Sequence, residues 1–192
     1  MTSPADRERR LRLFVAAALP DDVTTAIGCW QERELAPRRE LRITRSLHLT
    51  LCFIGDTPAS ALEPLTVAMA PLRIRPMTVA VAGPVLFLPD RGKRRVVALA
   101  LKETRGDPTG LERLRETQTA VSEALVGTGL YEPPGRAWLP HLTVARFRRP
   151  GQPFSLQNVN CGELCLSEVV LYTSDLDRSG AIHTPLASFG AR

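Results

Sequence analysis

The sequence predicts an α+β fold: antiparallel sheets in two similar halves, with helices packed on their outer sides. Three observations predict it. Apolar runs of strand length alternate with helical stretches, several successive strands are joined by tight turns rather than helical crossovers, and one short pattern occurs twice about half a chain length apart.

The elements run in order along the chain. Residues 11–19 read as a first core strand, and residues 23–35 as a helix with Val23, Ile27 and Trp30 on one face before Pro37 ends it. The cations Arg7, Arg9, Arg10 and Arg12 ahead of residues 13–19, with Ala16-Ala17-Ala18, imitate a signal peptide. That reading fails because the apolar run spans only 7 residues and flows into Pro20-Asp21-Asp22, a helix-start signal. Residues 47–54 form a buried strand, 55–58 a turn and 61–70 a second helix. Residues 78–88 read as one or two strands bent at Gly83-Pro84, paired with residues 96–101 after the turn at 89–92. This hairpin has a basic tip at residues 91–95. The longest helix, 108–125, carries Leu111, Leu114, Val121 and Leu125 on its apolar face and stops at Gly127 and Gly129. A loop containing Pro133, Pro134 and Pro140 leads to a strand at 142–147, and strands near 164–172 and 182–189 close the chain.

Composition narrows the function class. With 44% apolar and 23% charged residues, 13 Gly and 16 Pro, the chain is neither disordered nor collagenous. No stretch approaches the roughly 20 apolar residues of a membrane span, so no membrane partner is expected. The net charge is +5, and of the 25 cations only Lys93 and Lys102 are lysine. An arginine excess suits a phosphate-bearing partner, although genomic base composition produces the same skew. Cys29, Cys52, Cys161 and Cys165 follow no disulfide framework, which fits a reduced, cytoplasmic protein. Cys161 and Cys165 lack a matching Cys or His pair, so no metal or other cofactor is expected.

The chemistry lies in the repeated pattern. Two of the 3 histidines stand in Leu47-His48-Leu49-Thr50-Leu51 and Pro140-His141-Leu142-Thr143-Val144, both reading His-x-Thr-apolar. A lone histidine in an apolar strand is an ordinary core or edge residue; the repetition is what singles these out. On a strand, residues i and i+2 share a face, so each histidine shares one with its threonine while the leucines enter the core. Two imidazoles and two hydroxyls across a cleft suit in-line displacement at phosphorus. One neutral histidine takes a proton from the attacking oxygen, and a protonated one opposite supplies the leaving oxygen. The hydroxyls and a cation would bind the nonbridging oxygens. Arg146 is the nearest cation after His141 and should disfavour its imidazolium, making His141 the base and His48 the acid. Its odd offset from His141 puts it on the opposite face of a regular strand, so it reaches the phosphate only through a bulge or bend. In Ile182-His183-Thr184-Pro185 the threonine is at +1, and His183 is assigned no chemistry.

The chain resembles the 2H phosphoesterases, and within them the bacterial and archaeal RNA 2',3'-cyclic phosphodiesterases, also called 2'-5' RNA ligases. The resemblance rests on the two motifs, on Arg12-Leu13-Phe14-Val15-Ala16 with Leu19-Pro20, and on Phe53-Ile54-Gly55, Arg95-Val96-Val97-Ala98-Leu99 and Ala145-Arg146. Val169-Val170-Leu171-Tyr172 with Ser174 continue it toward the closing strand. It implies a single bilobal domain over residues 1–192, with two pseudo-twofold-related antiparallel sheets and a central cleft. It also implies metal-independent hydrolysis of RNA 2',3'-cyclic phosphate ends to 2'-phosphomonoesters, with reversible 2'-5' ligation. His48 would be the proton donor and His141 the acceptor, with Thr50, Thr143 and Arg146 on the phosphate. The expected partners are RNA ends or small cyclic-phosphate nucleotides, met by a monomer. Alternative substrates are a small cyclic nucleotide, an ADP-ribose cyclic phosphate or a 2'-5' oligonucleotide; a noncatalytic RNA-end binding protein is the alternative outside enzymology. The basic tip could track RNA phosphates or be merely solvated, and Trp138 or Phe14 could stack on a base or serve the core.

Overall fold

The computed structural model describes residues 9–177 and 180–190. Its elements are β1 (Arg10–Ala18), α1 (Asp21–Glu34), β2 (Leu41–Ile43), β3 (His48–Pro58), α2 (Leu62–Met69), β4 (Met77–Leu88), β5 (Arg94–Glu103), α3 (Gly110–Val126), β6 (His141–Gly151), β7 (Val159–Leu166), β8 (Glu168–Asp177) and β9 (Gly180–Gly190). Arg7 lies outside the described residues. No helix among them is long and apolar enough to cross a membrane.

The local signals act where the sequence places them. Pro20 fixes the chain just ahead of α1, and Asp21 and Asp22 lie at the positive end of its dipole. Val23, Ile27 and Trp30 then form its buried face. Gly83 has φ 112° and the β4–β5 register slips between Val81 and Val85, which is the bend expected at Gly83-Pro84.

The strands form two antiparallel sheets, ordered β3-β1-β8-β9 and β2-β6-β5-β4-β7. Apart from the short edge strand β2, the second repeats the plan of the first. The pair β1 and β3 flank α1 in sequence as β5 and β6 flank α3, and both motif strands open on a histidine. From Leu13 to Ala17, β1 is at most 3% exposed at every position, as a strand covered on both faces must be. One continuous apolar core joins the sheets and helices.

Three features depart from the sequence reading: residues 55–58, expected as a turn, continue β3 to Pro58 in register with Arg10 to Leu13 of β1, and two further departures concern other strands. The run 164–172 is two strands: β7 ends at Leu166 on the edge of the second sheet, and β8 begins at Glu168 beside β1 in the first. The crossing falls at Ser167-Glu168, a polar break in the apolar stretch that is too short to stand out as a connection between sheets. The three-residue β2 is too short to carry a period.

The start of α3 is packed hard on β4. Asp107 accepts a hydrogen bond from the Thr78 backbone N–H at 2.7 Å and pairs with Arg113, and a Cβ on Gly110 would collide with the Thr78 carbonyl oxygen. Gly110→Ala is therefore expected to cost about 1–3 kcal/mol in urea denaturation. At Gly127 a Cβ meets only ordinary contacts, and Gly127→Ala is expected to be neutral or slightly stabilising.

Candidate active site

Each motif histidine is fixed by the backbone two residues before it. The His48 Nδ1–H donates to the Ser46 carbonyl at 3.0 Å, and the His141 Nδ1–H to the Leu139 carbonyl at 2.7 Å. A carbonyl only accepts, so both rings carry hydrogen on Nδ1 when neutral and leave Nε2 free for chemistry. His48 pairs across the ladder with Ala18 and His141 with Ala100, small neighbours that leave room for the imidazoles. Thr50 and Thr143 are partly exposed, while Leu49, Leu51, Leu142 and Val144 are buried, as the period-2 argument requires.

The two motifs are brought together from different sheets. β3 and β6 meet across the gap between the sheets. The Trp138 indole N–H donates to the Thr50 carbonyl at 3.1 Å, tying the loop ahead of His141 to the first motif. Trp138 packs against the core, and Phe14 is only 3% exposed, so both have structural work here.

In each motif strand the extra residue nearest the motif sets the direction of the side chains just beyond the threonine. Between β1 and β3, Val15 pairs with Cys52 and Ala16 with Thr50, so Leu51 is a bulge. Between β5 and β6, Val97 pairs with Ala145 and Ala98 with Thr143, so Val144 is its counterpart. Both strands accordingly show two adjacent buried residues, Leu51-Cys52 and Val144-Ala145. The parity of the strand flips there, bringing Phe53 and Arg146 round to the face of the histidines. The bulge resolves the odd offset of Arg146.

At each bulge a helix glutamine from the opposite half approaches the carbonyl of the extra residue, and at Val144 it does so beside the Thr44 backbone N–H, which donates to the same carbonyl at 2.9 Å. Gln31 on α1, 1% exposed, donates to the Val144 carbonyl at 2.8 Å and to the Thr44 carbonyl at 2.9 Å. Gln118 on α3 approaches the Leu51 carbonyl at 3.5 Å. Sequence reasoning missed Gln31, although a polar residue four after Ile27 on the buried stripe was a visible signal.

His183, assigned no chemistry from the sequence, packs against His48. Its ring lies 4.8 Å from that of His48, edge to face, and 4.9 Å from Phe14, whose other neighbour Tyr172 is stacked at 5.2 Å. Its Nδ1 is buried without a hydrogen-bond partner. The Ser46 hydroxyl, donating to the Ala181 carbonyl at 3.0 Å, draws β9 against the loop that carries His48. Threonine spacing holds no information about this approach from a distant strand.

Burial pushes His48 from 6.5 down to about 4, helped by the charges of His183, Arg146 and His141 and opposed by its bond to Ser46. Arg146 thus acts on His48, whereas the sequence argument aimed its charge at His141. Arg146 itself is held below the ordinary arginine value by burial and by Arg42 and Arg12. Arg12 also stacks on Phe53, 4.8 Å from the ring centre. Beside the motifs opens a cavity of about 530 Å³ lined by Thr50, Phe53, Tyr131, Trp138 and His141 among others. In the basic tip, Arg94 is tied to the Pro89 carbonyl at 2.6 Å.

The profile of the 2'-5' RNA ligase superfamily matches residues 19–161. A Thermus thermophilus RNA 2',3'-cyclic phosphodiesterase is 30% identical, the match covering 95% of this chain and 91% of that protein. One from Geobacillus stearothermophilus is 28% identical over 94% of this chain, which spans 57% of that longer protein. Escherichia coli LigT, solved with 3'-AMP, has the same fold, with a TM-score of 0.77 at 24% identity over 95% of this chain and 99% of that one.

The buried histidines make stability depend on pH. Because the folded value of His48 lies below its unfolded value, the unfolded chain binds the extra proton between pH 6.5 and about 4. Stability should fall across that window as pH drops, by up to about 3 kcal/mol from His48. His183 is lowered by burial and acts in the same direction. Urea denaturation at pH 7 and pH 4.5 should show a smaller loss in His48→Gln than in wild type. Gln31→Leu removes the side-chain donor to the Thr44 carbonyl and one of two donors to the Val144 carbonyl, which keeps the Thr44 N–H, and should cost about 1–3 kcal/mol, more than Gln118→Leu with its longer hydrogen bond. With the family profile spanning most of the chain and both motif strands at one cleft, the chain belongs to the 2'-5' RNA ligase superfamily.

Proposed function

We propose that this protein hydrolyses RNA 2',3'-cyclic phosphate ends to 2'-phosphomonoesters, using two histidines as its proton carriers. The observation that carries the reading is the matched pair of imidazoles, each locked at Nδ1 by a carbonyl and free at Nε2, beside two same-face threonines. The names of its relatives support it.

Water attacks phosphorus in line with the 3'-oxygen, and His141 Nε2 takes the water proton as the new P–O bond forms. The bond from phosphorus to the 3'-oxygen breaks, and His48 Nε2–H supplies the proton that makes the 3'-hydroxyl. Thr50 and Thr143 hydroxyls donate to the nonbridging oxygens, and Arg146 balances their charge. With an RNA 5'-hydroxyl in place of water, the same displacement joins two ends through a 2'-5' linkage. The four free cysteines are in keeping with the cytosol, and the protein acts as a monomer in this reading.

A second reading exchanges the two roles, and one observation favours it. His48 at about 4 is neutral at pH 7 in the protein by itself, as a base must be. A phosphate beside it works against this, since an anion stabilises the imidazolium.

Hydrolysis of a nucleoside 2',3'-cyclic phosphate in excess chelator, with phosphorus NMR of the product, tests the reaction. A 2'-phosphate is expected, with His48→Ala and His141→Ala each losing at least about 100-fold. A requirement for divalent metal would sink the mechanism, and a folded wild type that binds RNA ends without turnover would leave a binding protein. A substrate with sulfur at the 3' leaving position assigns the roles, because thiolate departs without a proton. Rescue of His48→Ala alone makes His48 the acid; rescue of His141→Ala alone establishes the exchange.

A further inference from the structure

The basic face of β6 continues beyond the phosphate site. Past the bulge at Val144, Arg146 returns to the face of His141 and Thr143; the ladder to β5 slips again over residues 147–150, but pairing with β2 continues through Phe147, and Arg148 lines the same cavity as Arg146. Arg42 on β2 is the direct cross-strand partner of Arg146, so its side chain shares that face. Arg42, Arg95, Arg146 and Arg148, with Phe147 and Pro150, line a cavity of about 440 Å³.

No carboxylate lines this cavity, and among the described residues none of its four guanidinium groups forms an ion pair. Elsewhere the chain does pair its arginines, as in Arg45–Glu32 and Arg75–Glu116. Arg148 is held in the wall: its Nε–H lies 3.1 Å from the Arg39 carbonyl and 3.2 Å from that of Leu41, so its two terminal nitrogens remain for a ligand. Like charges gathered without a counterion repel, and an anion between them relieves the repulsion. The planar fork of arginine fits phosphate oxygens best.

Position selects which phosphate. At about 3.3 Å per residue Arg148 stands roughly 20 Å along β6 from His141. That is the length of several stacked nucleotides at roughly 3.4 Å each. A 2',3'-cyclic phosphate closes the 3' end of its strand, so everything else in an RNA substrate extends to the 5' side. We propose that the cavity formed by Arg42, Arg95 and Arg148 binds backbone phosphates of the RNA strand upstream of the cyclic end. It is a specificity subsite that selects oligonucleotide ends over mononucleotides. The inference rests on the cyclic-phosphodiesterase reading for its substrate, while its binding test does not depend on turnover.

The experiment compares wild type with Arg42→Gln/Arg95→Gln on adenosine 2',3'-cyclic phosphate and on an eight-nucleotide RNA ending in the same group. Unchanged thermal melting checks folding. The preference for the oligonucleotide in kcat/KM should fall about tenfold or more in the variant. In parallel, fluorescence anisotropy measures binding of the same RNA carrying a 2'-phosphate end, over a salt series. Wild type should bind with a steep salt dependence. The variant should bind more weakly, with a log–log slope shallower by about one to two, since each phosphate neutralised on a single strand adds about 0.7 to the slope. An unaltered preference with an unaltered salt slope overturns the subsite while leaving the hydrolysis reading intact. Absence of turnover with the expected binding difference overturns the hydrolysis reading and leaves the subsite standing.

Discussion

The site depends on one inserted residue in each motif strand. Leu51 and Val144 each push their strand out of the two-residue period immediately after His-x-Thr, and each shift sends the next polar-face position to the same side as the imidazole. Without the bulge at Val144, the strand that presents His141 and Thr143 would turn Arg146 away from them. The bulge is itself held from outside, by a glutamine on a helix belonging to the other half of the chain. Each half therefore sets the geometry of the other's motif, which couples assembly of the cleft to folding of the whole molecule.

The two halves share a plan but not an electrostatic environment. At the position after the bulge one half carries Phe53 and the other Arg146, and only the first imidazole has a third histidine against it. His48 is consequently the more confined ring, desolvated by Phe14 and His183 and close to a guanidinium, and its proton affinity drops. Two motifs of the same pattern thus place their imidazoles in different surroundings. The arginines that continue along β6 extend the same asymmetry beyond the motifs, gathering with Arg42 and Arg95 around one cavity.

Much of the fold was legible because its elements are local. Alternating apolar residues in both motifs, the Pro20-Asp21-Asp22 helix start, and Gly83-Pro84 at a bend each encode their structure within a few residues. Residues 164–172 were read as one strand because the break at Ser167-Glu168 spans only two residues and the apolar stretches on either side suit burial in either sheet. The closeness of His183 to His48 was hidden for a related reason: it depends on β9 being drawn against the loop at Ser46. The odd spacing of Arg146 announced that a bulge was needed, but no pattern located it at Val144 or named Gln31 as its support.

The sequence by itself determined the α+β class, the strands bearing His48 and His141, and the pairing of each histidine with a threonine. These come from the period of two along a strand, which is a property of the backbone alone. Tertiary structure decided which carbonyl orients each imidazole, where the bulges fall, how far burial lowers His48, and which arginines gather around one cavity. Those depend on distances between segments far apart in the chain, set by how two sheets and three helices close on a common core.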